Sequence, residues 1–454
     1  MRPDPAAASE ATPRASGAPA PRAWRGRALA LAPLVGTLCL AAGLRAAWLV
    51  RVHPYPNDGR FDDTVWYWNT ARFIAAGDGF RNPYLGPPTM AWPPGYSAFL
   101  GAVFKAFGEG RAQAYAANVV LALITIAAVY AASRMLVGAR VAIVAALLLA
   151  VWPGQVQFSS LALSEPLFTA LFALGLLLAL WLPRRRATPW PVLPALAAVV
   201  AAAALTRGEG LLLLPIAGLW WLLCRPGLRR WLAWSLTLAA LTALLLTPWL
   251  VRNERLSGSF VPIASNFGSD FWIGNHAGAT GRMRTLQPVP RSHATGLTLA
   301  QYEAASSRIA LDDALAYARS HPAAEARLAL TKLRAIYESD ATALDWNAAY
   351  GDHPDFSSRG DGWLRGADNA FWAAVLALAA LGAAAGAGRY PREVILLVAV
   401  ILSWTAAYLV FFGDPRFHYP LAVVIAPLAA LGIVRLWEAA ASLRAPTPSR
   451  SPRG

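Results

Sequence analysis

Apolar runs of roughly 20 residues, separated by short polar connections, recur along almost the whole chain. That length lets a helix rising about 1.5 Å per residue cross the hydrocarbon core of a bilayer. The runs read at about 28–50, 115–136, 140–153, 160–183, 190–206, 209–224, 231–250, 368–387, 393–412 and 418–437. They predict an all-α polytopic membrane protein with about ten transmembrane helices. The run at 140–153 is short, so its boundaries and those of its partners can shift by several residues. Arginines precede the first run, as in a signal peptide. It is too long for a signal's core and no small-residue cleavage site follows, so an uncleaved anchor is expected.

The polar stretches divide the chain around these runs. Residues 1–27 are rich in Pro, Ala and Arg without periodicity and read as a disordered cytoplasmic tail; 441–454 reads as a second tail. An N-terminal transmembrane module spans 28–250 and encloses a first outer loop at 51–114. A large extracytoplasmic loop follows at 251–367, and C-terminal transmembrane helices at 368–440. A surface helix is expected after Pro94. Within the large loop, Thr298 with Gln301 makes a capping-box start. One helical pattern runs from there toward His321-Pro322, and a second from Ala323 to about Tyr337. Inverted internal repeats of the kind common in transporters are not evident.

Composition supports the membrane reading: 57% of residues are hydrophobic and only 14% charged. A soluble fold cannot hide that much apolar surface. The net charge of +15 would suit nucleic acid if it formed a patch, but the basic residues punctuate apolar runs instead. They also set orientation. Arg184 to Arg186, the stretch from Arg225 to Arg230, Arg389 to Arg392 and both termini fall on one side, which the positive-inside rule makes cytoplasmic. Only Asp4, Glu10, Glu393 and Glu438 lie there, leaving 21 of the 25 acids on the outer side. Cys39 and Cys224 sit in apolar runs and imply neither a disulfide framework nor a metal cluster.

Candidate chemistry lies near the outer face. The adjacent carboxylates Asp62 and Asp63 follow the first run, ahead of Trp66, Tyr67 and Trp68. Such a pair can serve as a general base or a cation site, or stay a solvated loop beside an interfacial aromatic belt. Glu165 opens a run at the outer side, where an acid is either functional or a helix-start carboxylate favoured by the dipole. Arg207, Arg252 and Arg416 stand at outer ends of runs, where they can meet an anion or merely snorkel; Arg45 shares that ambiguity. His276, His293 and His418 lack metal-ligand spacing, and His418 is a candidate hydrogen-bonding residue.

Asp63 through Tyr67, Ala71 and Gly77 resembles the first outer loop of the GT-C glycosyltransferases. The nearest branch joins the dolichyl-phosphate-mannose-protein mannosyltransferases to the bacterial aminoarabinose transferases. The spacing matches Asp63 to the essential aspartate, although Thr64 stands where Glu often follows. Trp92-Pro93-Pro94-Gly95-Tyr96 resembles the Pro-Pro motif, with Trp92 in place of a lysine thought to meet the lipid phosphate. Ser164-Glu165-Pro166-Leu167 resembles the second acidic motif. Leu205 to Gly210, Thr247 to Asn253, Trp272 to Gly281 and Asp414 to Pro420 resemble further segments in the same order. The resemblance covers roughly 30–437 and is thinnest at 283–367, where His321-Pro322 and Lys332 still fit.

The resemblance implies a polyprenyl-phosphate-sugar-dependent glycosyltransferase, a hexosyl or pentosyl transferase of the bacterial inner or plasma membrane. Its partners would be the lipid-linked donor, an extracytoplasmic acceptor (lipid, glycan or protein) and the bilayer. Inversion at the anomeric carbon is expected. Asp63 would be the base, with Asp62 beside it. Glu165, Arg207, Arg252, Arg416, His418 and Tyr67 would meet substrate or phosphate. The relatives differ on metal; a divalent cation, if used, would sit on Asp62, Asp63 and Glu165. The alternative is a transporter or lipid flippase of envelope assembly, which calls for ionisable groups near mid-bilayer.

Overall fold

A computed structural model describes residues 21–54, 62–184, 191–283, 288–350 and 358–444. Of the expected tails at 1–27 and 441–454, residues 1–20 and 445–454 lie outside the described residues, as do Arg185 and Arg186, whereas 21–27 and 441–444 are helical. Helices make up most of the described chain; isolated bridges join Arg81 with Pro88 and Arg282 with Gly413. In a bilayer a helix satisfies its backbone polar groups internally, which is why each apolar run takes this form.

The first half comprises α1 (Pro21–Val52), α2 (Asp63–Ala76), α3 (Gly95–Phe107), α4 (Arg111–Leu136), α5 (Ala139–Val151), α6 (Pro153–Gln157), α7 (Glu165–Trp181), α8 (Val192–Thr206) and α9 (Leu213–Cys224). Then follow α10 (Leu228–Ser257), α11 (Asn266–Gly274), α12 (Leu299–Ser320), α13 (Pro322–Tyr337) and α14 (Thr342–Tyr350). The chain closes with α15 (Ser358–Gly386), α16 (Pro391–Val410) and α17 (Ala422–Arg444).

Six described helices are long and apolar enough to span a membrane, at Leu31–Val52, Arg111–Leu136, Leu228–Ser257, Gly362–Gly386, Pro391–Val410 and Pro415–Leu443. A seventh arises if α5 and Pro153–Ser160 count together as one span bent by 60°. The bend has a plain cause. Pro153 cannot donate an amide hydrogen bond and pushes Trp152 to φ −64°, ψ 116°, an extended conformation. The remaining three expected runs form shorter apolar helices, Glu165–Trp181, Val192–Thr206 and Gly208–Cys224. Six or seven spans therefore meet the length criterion, against the expected ten.

Around the buried core, α4 packs on α5 and α7, α8 on α7 and α10, and α15 on α17. The α15–α17 contact is made by glycine. A Cβ on Gly382 would collide with the Leu428 carbonyl oxygen, and one on Gly432 with that of Leu378. Without side chains the two backbones touch, the device by which membrane helices associate where no hydrophobic effect drives them together.

The expected surface helix after Pro94 is α3. The Thr298–Gln301 capping box opens α12, with both reciprocal bonds formed. Packing of α11 on α12 and of α13 on α16 brings the large loop down onto the bundle, at the end where α2 and α3 lie.

Candidate functional site

Four helix termini from distant parts of the chain deliver charge to that end. Asp62 and Asp63 begin α2 and do different jobs. Asp62 is the N-cap, its Oδ1 accepting from the amides of Thr64 (2.8 Å) and Val65 (3.2 Å) and from the Thr64 hydroxyl (2.8 Å). Burial pushes this carboxyl up, against the pull of those hydrogen bonds. Asp63 is the first helical residue. Its Oδ2 accepts a charge-assisted hydrogen bond from Arg416 Nη1 at 2.7 Å.

Arg416 reaches Asp63 from a 3-10 turn at Pro415–Leu421, held by Asp414, whose Oδ1 accepts from the Arg416 amide at 2.9 Å. The guanidinium lies over Trp346 and Phe417. Glu165, at the start of α7, is buried, with Oε1 2.9 Å from Arg207 Nη1 and 3.9 Å from Arg416 Nε. Arg207 ends α8 in an extended conformation that turns its side chain inward. It also donates to Ser164 Oγ (3.2 Å) and to the Tyr408 hydroxyl (2.9 Å), and approaches Glu209 at 3.9 Å. Carboxylates and guanidiniums therefore alternate: Asp63, Arg416, Glu165, Arg207, Glu209.

Tyr67 stands one turn after Asp63 on the same face of α2, buried edge-on against Tyr96 (5.3 Å), with its hydroxyl near Ser164. Burial raises this phenol's pKa. Trp92 packs against Trp66, with ring centroids 4.2 Å apart and planes tilted by 38°. The Pro-Pro-Gly segment seats α3 against the end of α8, since a Cβ on Gly95 would meet the backbone of Leu205 and Thr206. That contact lies next to Arg207.

Two expected members stand apart. Arg252 donates to the carbonyls of Phe80 (3.1 Å) and Thr89 (3.2 Å), with Trp249 4.4 Å from its guanidinium. It staples the first outer loop to α10, assisted by Glu303, which accepts from Thr89 Oγ1 and the Met90 amide. His418 is two residues from Arg416 but points away. Its ring nitrogens face the Ile336 carbonyl (2.8 Å) and Asp340 Oδ1 (2.9 Å), and Trp372 stacks on it at 4.1 Å. Asp340 in turn accepts from Trp152 Nε1 at 2.7 Å. Arg45 is buried, donating to the carbonyls of Ala41, Leu149, Ala150 and Gln155, so it ties α1 to the bend after α5 rather than snorkelling.

One site residue was absent from the sequence expectation. Asp270, on α11, is half-buried and bonded by Asn266 Nδ2 at 2.8 Å. Burial, and then the negative charge of Asp63, push its carboxyl up to about 7, against the pull of Arg416 and Arg207. An acid within the aromatic stretch Phe267 to Trp272 was the available signal. Lys332 is also buried, its Nζ donating to Asn275 Oδ1 (2.7 Å) and the Leu409 carbonyl (3.1 Å); burial lowers its pKa to about 8. It clamps the end of α16, from which the chain runs to Arg416.

Among the described residues, no three His, Cys, Asp or Glu side chains converge as a metal would need. Asp62 caps α2 through Oδ1 alone, its buried Oδ2 making no hydrogen bond, while Asp63 and Glu165 each face an arginine. This set does not fit a divalent cation as arranged.

The comparisons agree with the geometry at two levels. Residues 91–251 match the dolichyl-phosphate-mannose-protein mannosyltransferase family. Across 93% of the chain the structure is similar to the Archaeoglobus fulgidus oligosaccharyltransferase in its apo form, at 16% identity and a TM-score of 0.58. The same archaeal enzyme, AglB, in complex with an inhibitory peptide and a dolichol-phosphate, is similar over 94% of the chain at 17% identity and a TM-score of 0.53. The chain spans about half the length of that protein, 52% and 53% in the two structures. ArnT from Cupriavidus metallidurans, bound to undecaprenyl phosphate, aligns with 95% of this chain and 82% of its own at 16% identity and a TM-score of 0.38. No curated protein matches the chain. The chain shares its fold with the Archaeoglobus fulgidus oligosaccharyltransferase.

Proposed function

We propose that the chain transfers a sugar from a polyprenyl-phosphate donor to an acceptor on the extracytoplasmic side. The observation that carries this reading is the alternating set Asp63–Arg416–Glu165–Arg207 at one end of the bundle. A lipid-linked donor keeps its tail in the membrane and its phosphate at the interface, so a base and phosphate-binding cations must meet there.

In the step itself, the acceptor's nucleophilic atom attacks the anomeric carbon while Asp63 takes its proton. The bond from that carbon to the phosphate oxygen breaks, and the oxygen leaves with the electron pair on polyprenyl phosphate. Arg416 and Arg207 hold the charge that develops. A guanidinium offers five N–H donors, so Arg416 can keep Asp63 oriented while it binds phosphate. Attack opposite the leaving group gives inversion. Glu165 holds the two arginines in register; Tyr67 and Asp270 line the same site. The sugar moved is a hexose or a pentose.

The test is transfer of labelled sugar from polyprenyl phosphate in membranes carrying the protein. Transfer above a membrane control is expected; no transfer from any polyprenyl donor overturns the reading. We also place both termini in the cytoplasm and 251–367 outside, in the bacterial inner membrane, from the arginine placement. Reporter fusions after Arg186 and after Ser320 should report opposite compartments, and the same compartment from both would show the span map to be wrong.

A further inference from the structure

At the other end of the bundle, three arginines surround a cavity of about 210 Å³. Arg140 comes from the first turn of α5, Arg389 from the α15–α16 connection, and Arg435 from α17. From Arg416 to Arg435 the chain runs through one 3-10 segment and over three turns of α17, a rise of about 30 Å. That equals the hydrocarbon thickness of a bilayer, so this cavity opens at the interface opposite the candidate active site.

Its walls are of two kinds. The polar wall holds the three guanidiniums and the amide end of α5, which carries partial positive charge. Tyr390 lies between Arg389 (5.5 Å) and Arg435 (5.9 Å), so two cations share one ring. Arg140 lies 5.8 Å from the ring of Trp437, itself exposed toward the surrounding lipid. The apolar wall is Leu431 and Val434 of α17. Against three cations the cavity offers one acid, Glu438, whose Oε2 accepts from Arg435 Nη1 at 3.0 Å. The Nε of Arg435 is buried and makes no hydrogen bond.

We propose that this cavity binds the phosphate headgroup of an anionic phospholipid in the leaflet opposite the reaction. Three arginines with one carboxylate leave a surplus of positive charge, and guanidinium matches phosphate in shape and donor geometry. The apolar wall continuing along α17 favours a headgroup with acyl chains over a free anion. Basic pockets between membrane helices take anionic headgroups for this reason. The site is independent of the sugar-transfer reading and stands on the opposite face.

The test uses the purified full chain in zwitterionic detergent, titrated with phosphatidylglycerol, phosphatidylcholine or inorganic phosphate, and read by native mass spectrometry and thermal unfolding. Phosphatidylglycerol should be retained and raise the melting temperature, while the other two should do neither. Each arginine removed should weaken retention roughly fivefold, so the double variant R140Q/R389Q should lose about twenty-fivefold. Glu438→Gln, which frees Arg435 and alters no buried contact, should tighten retention several-fold. Equal retention of phosphatidylcholine, or phosphatidylglycerol binding unchanged in R140Q/R389Q, overturns the proposal. If that double variant does not fold, unchanged or weaker binding in Glu438→Gln overturns it. Stabilisation by inorganic phosphate equal to that by the lipid would make this a soluble-anion site and overturn it too.

Discussion

The two ends of the helical bundle handle arginine in opposite ways. At the outer end, Arg207 and Arg416 are each held by carboxylates that arrive from different helices, and both lie in the protein interior. At the opposite end, Arg140 and Arg389 are exposed, and the ion pair of Arg435 is with Glu438 on its own helix. An exposed pair is worth little, because water screens it and long side chains lose entropy. A buried pair that loses one partner leaves an uncompensated charge, which is far more costly. The candidate-site end is thus a preorganised assembly that tolerates no vacancy, whereas the opposite end keeps a surplus of positive charge around its cavity.

The largest effect that would sharpen this contrast is expected at Asp63. Asp63→Asn preserves shape but cannot take the acceptor's proton, and loss of a general base typically costs 10²–10⁴ in rate. Asp62→Asn keeps an N-cap side chain of similar quality and should stay within a few-fold of the parent. Labelled-sugar transfer with protein levels matched by immunoblot separates the two. Equal losses would show that the acid pair acts as a unit.

Next comes Arg416. Arg416→Ala removes one charge-assisted contact to phosphate, worth about 1.5–3 kcal/mol, or roughly ten- to over a hundredfold in kcat/KM. Trp92, whose ring lies 4.2 Å from that of Trp66, offers no cation at its own position. A change below threefold would mean that Arg416 serves only to hold Asp63 in place.

Arg252 should behave differently, although it stands at the same end. Its partners are two loop carbonyls, so Arg252→Ala leaves buried acceptors unpaired at a cost of about 1–3 kcal/mol. The expected readout is a lower melting temperature in detergent, with the KM for donor changed less than in Arg416→Ala. A donor KM raised as far as in Arg416→Ala would return Arg252 to the phosphate site.

These contrasts also mark what the sequence could reveal. Asp63, Glu165, Arg207 and Arg416 come from four separate runs. Topology alone puts their run ends on one side of the membrane, so their meeting was legible from spacing and charge sign. The same logic grouped Arg252 and His418 with them, because position along a span says nothing about side-chain direction. Their true neighbours, the carbonyls of Phe80 and Thr89 and the carboxylate of Asp340, are tertiary. Asp62 carried a readable signal that was weighed as chemistry: an Asp just before a helix is first of all an N-cap. The break after α5 was foreshadowed by Pro153, and the short run at 140–153 continues past it at an angle. Asp270 was hidden because a lone acid in a loop has no periodic pattern to expose it.

The smallest expected effect concerns that residue, and its sign follows from linkage. Asp270 in the folded protein binds its proton up to about pH 7, whereas an unfolded aspartate releases it near pH 4. Between those values the native state holds more protons, so stability falls as pH rises through that window and levels off above it. Burial is the first reason and the charge cluster the second: Asp63, Glu165, Glu209 and an ionised Asp270 would surround only Arg207 and Arg416. Asp270→Asn keeps the size and the contact with Asn266 but cannot ionise, so it should flatten this part of the profile. Because the side chain is only half-buried, solvent screens much of the repulsion, and the gain in melting temperature at pH 8 should be about 1–3 °C. The measurement is thermal unfolding of parent and variant in detergent at pH 5 and pH 8. A variant that gains nothing at pH 8 relative to pH 5 would mean that the two arginines already balance all four acids. The outer end would then be as well compensated with donor absent as it has to be with donor bound.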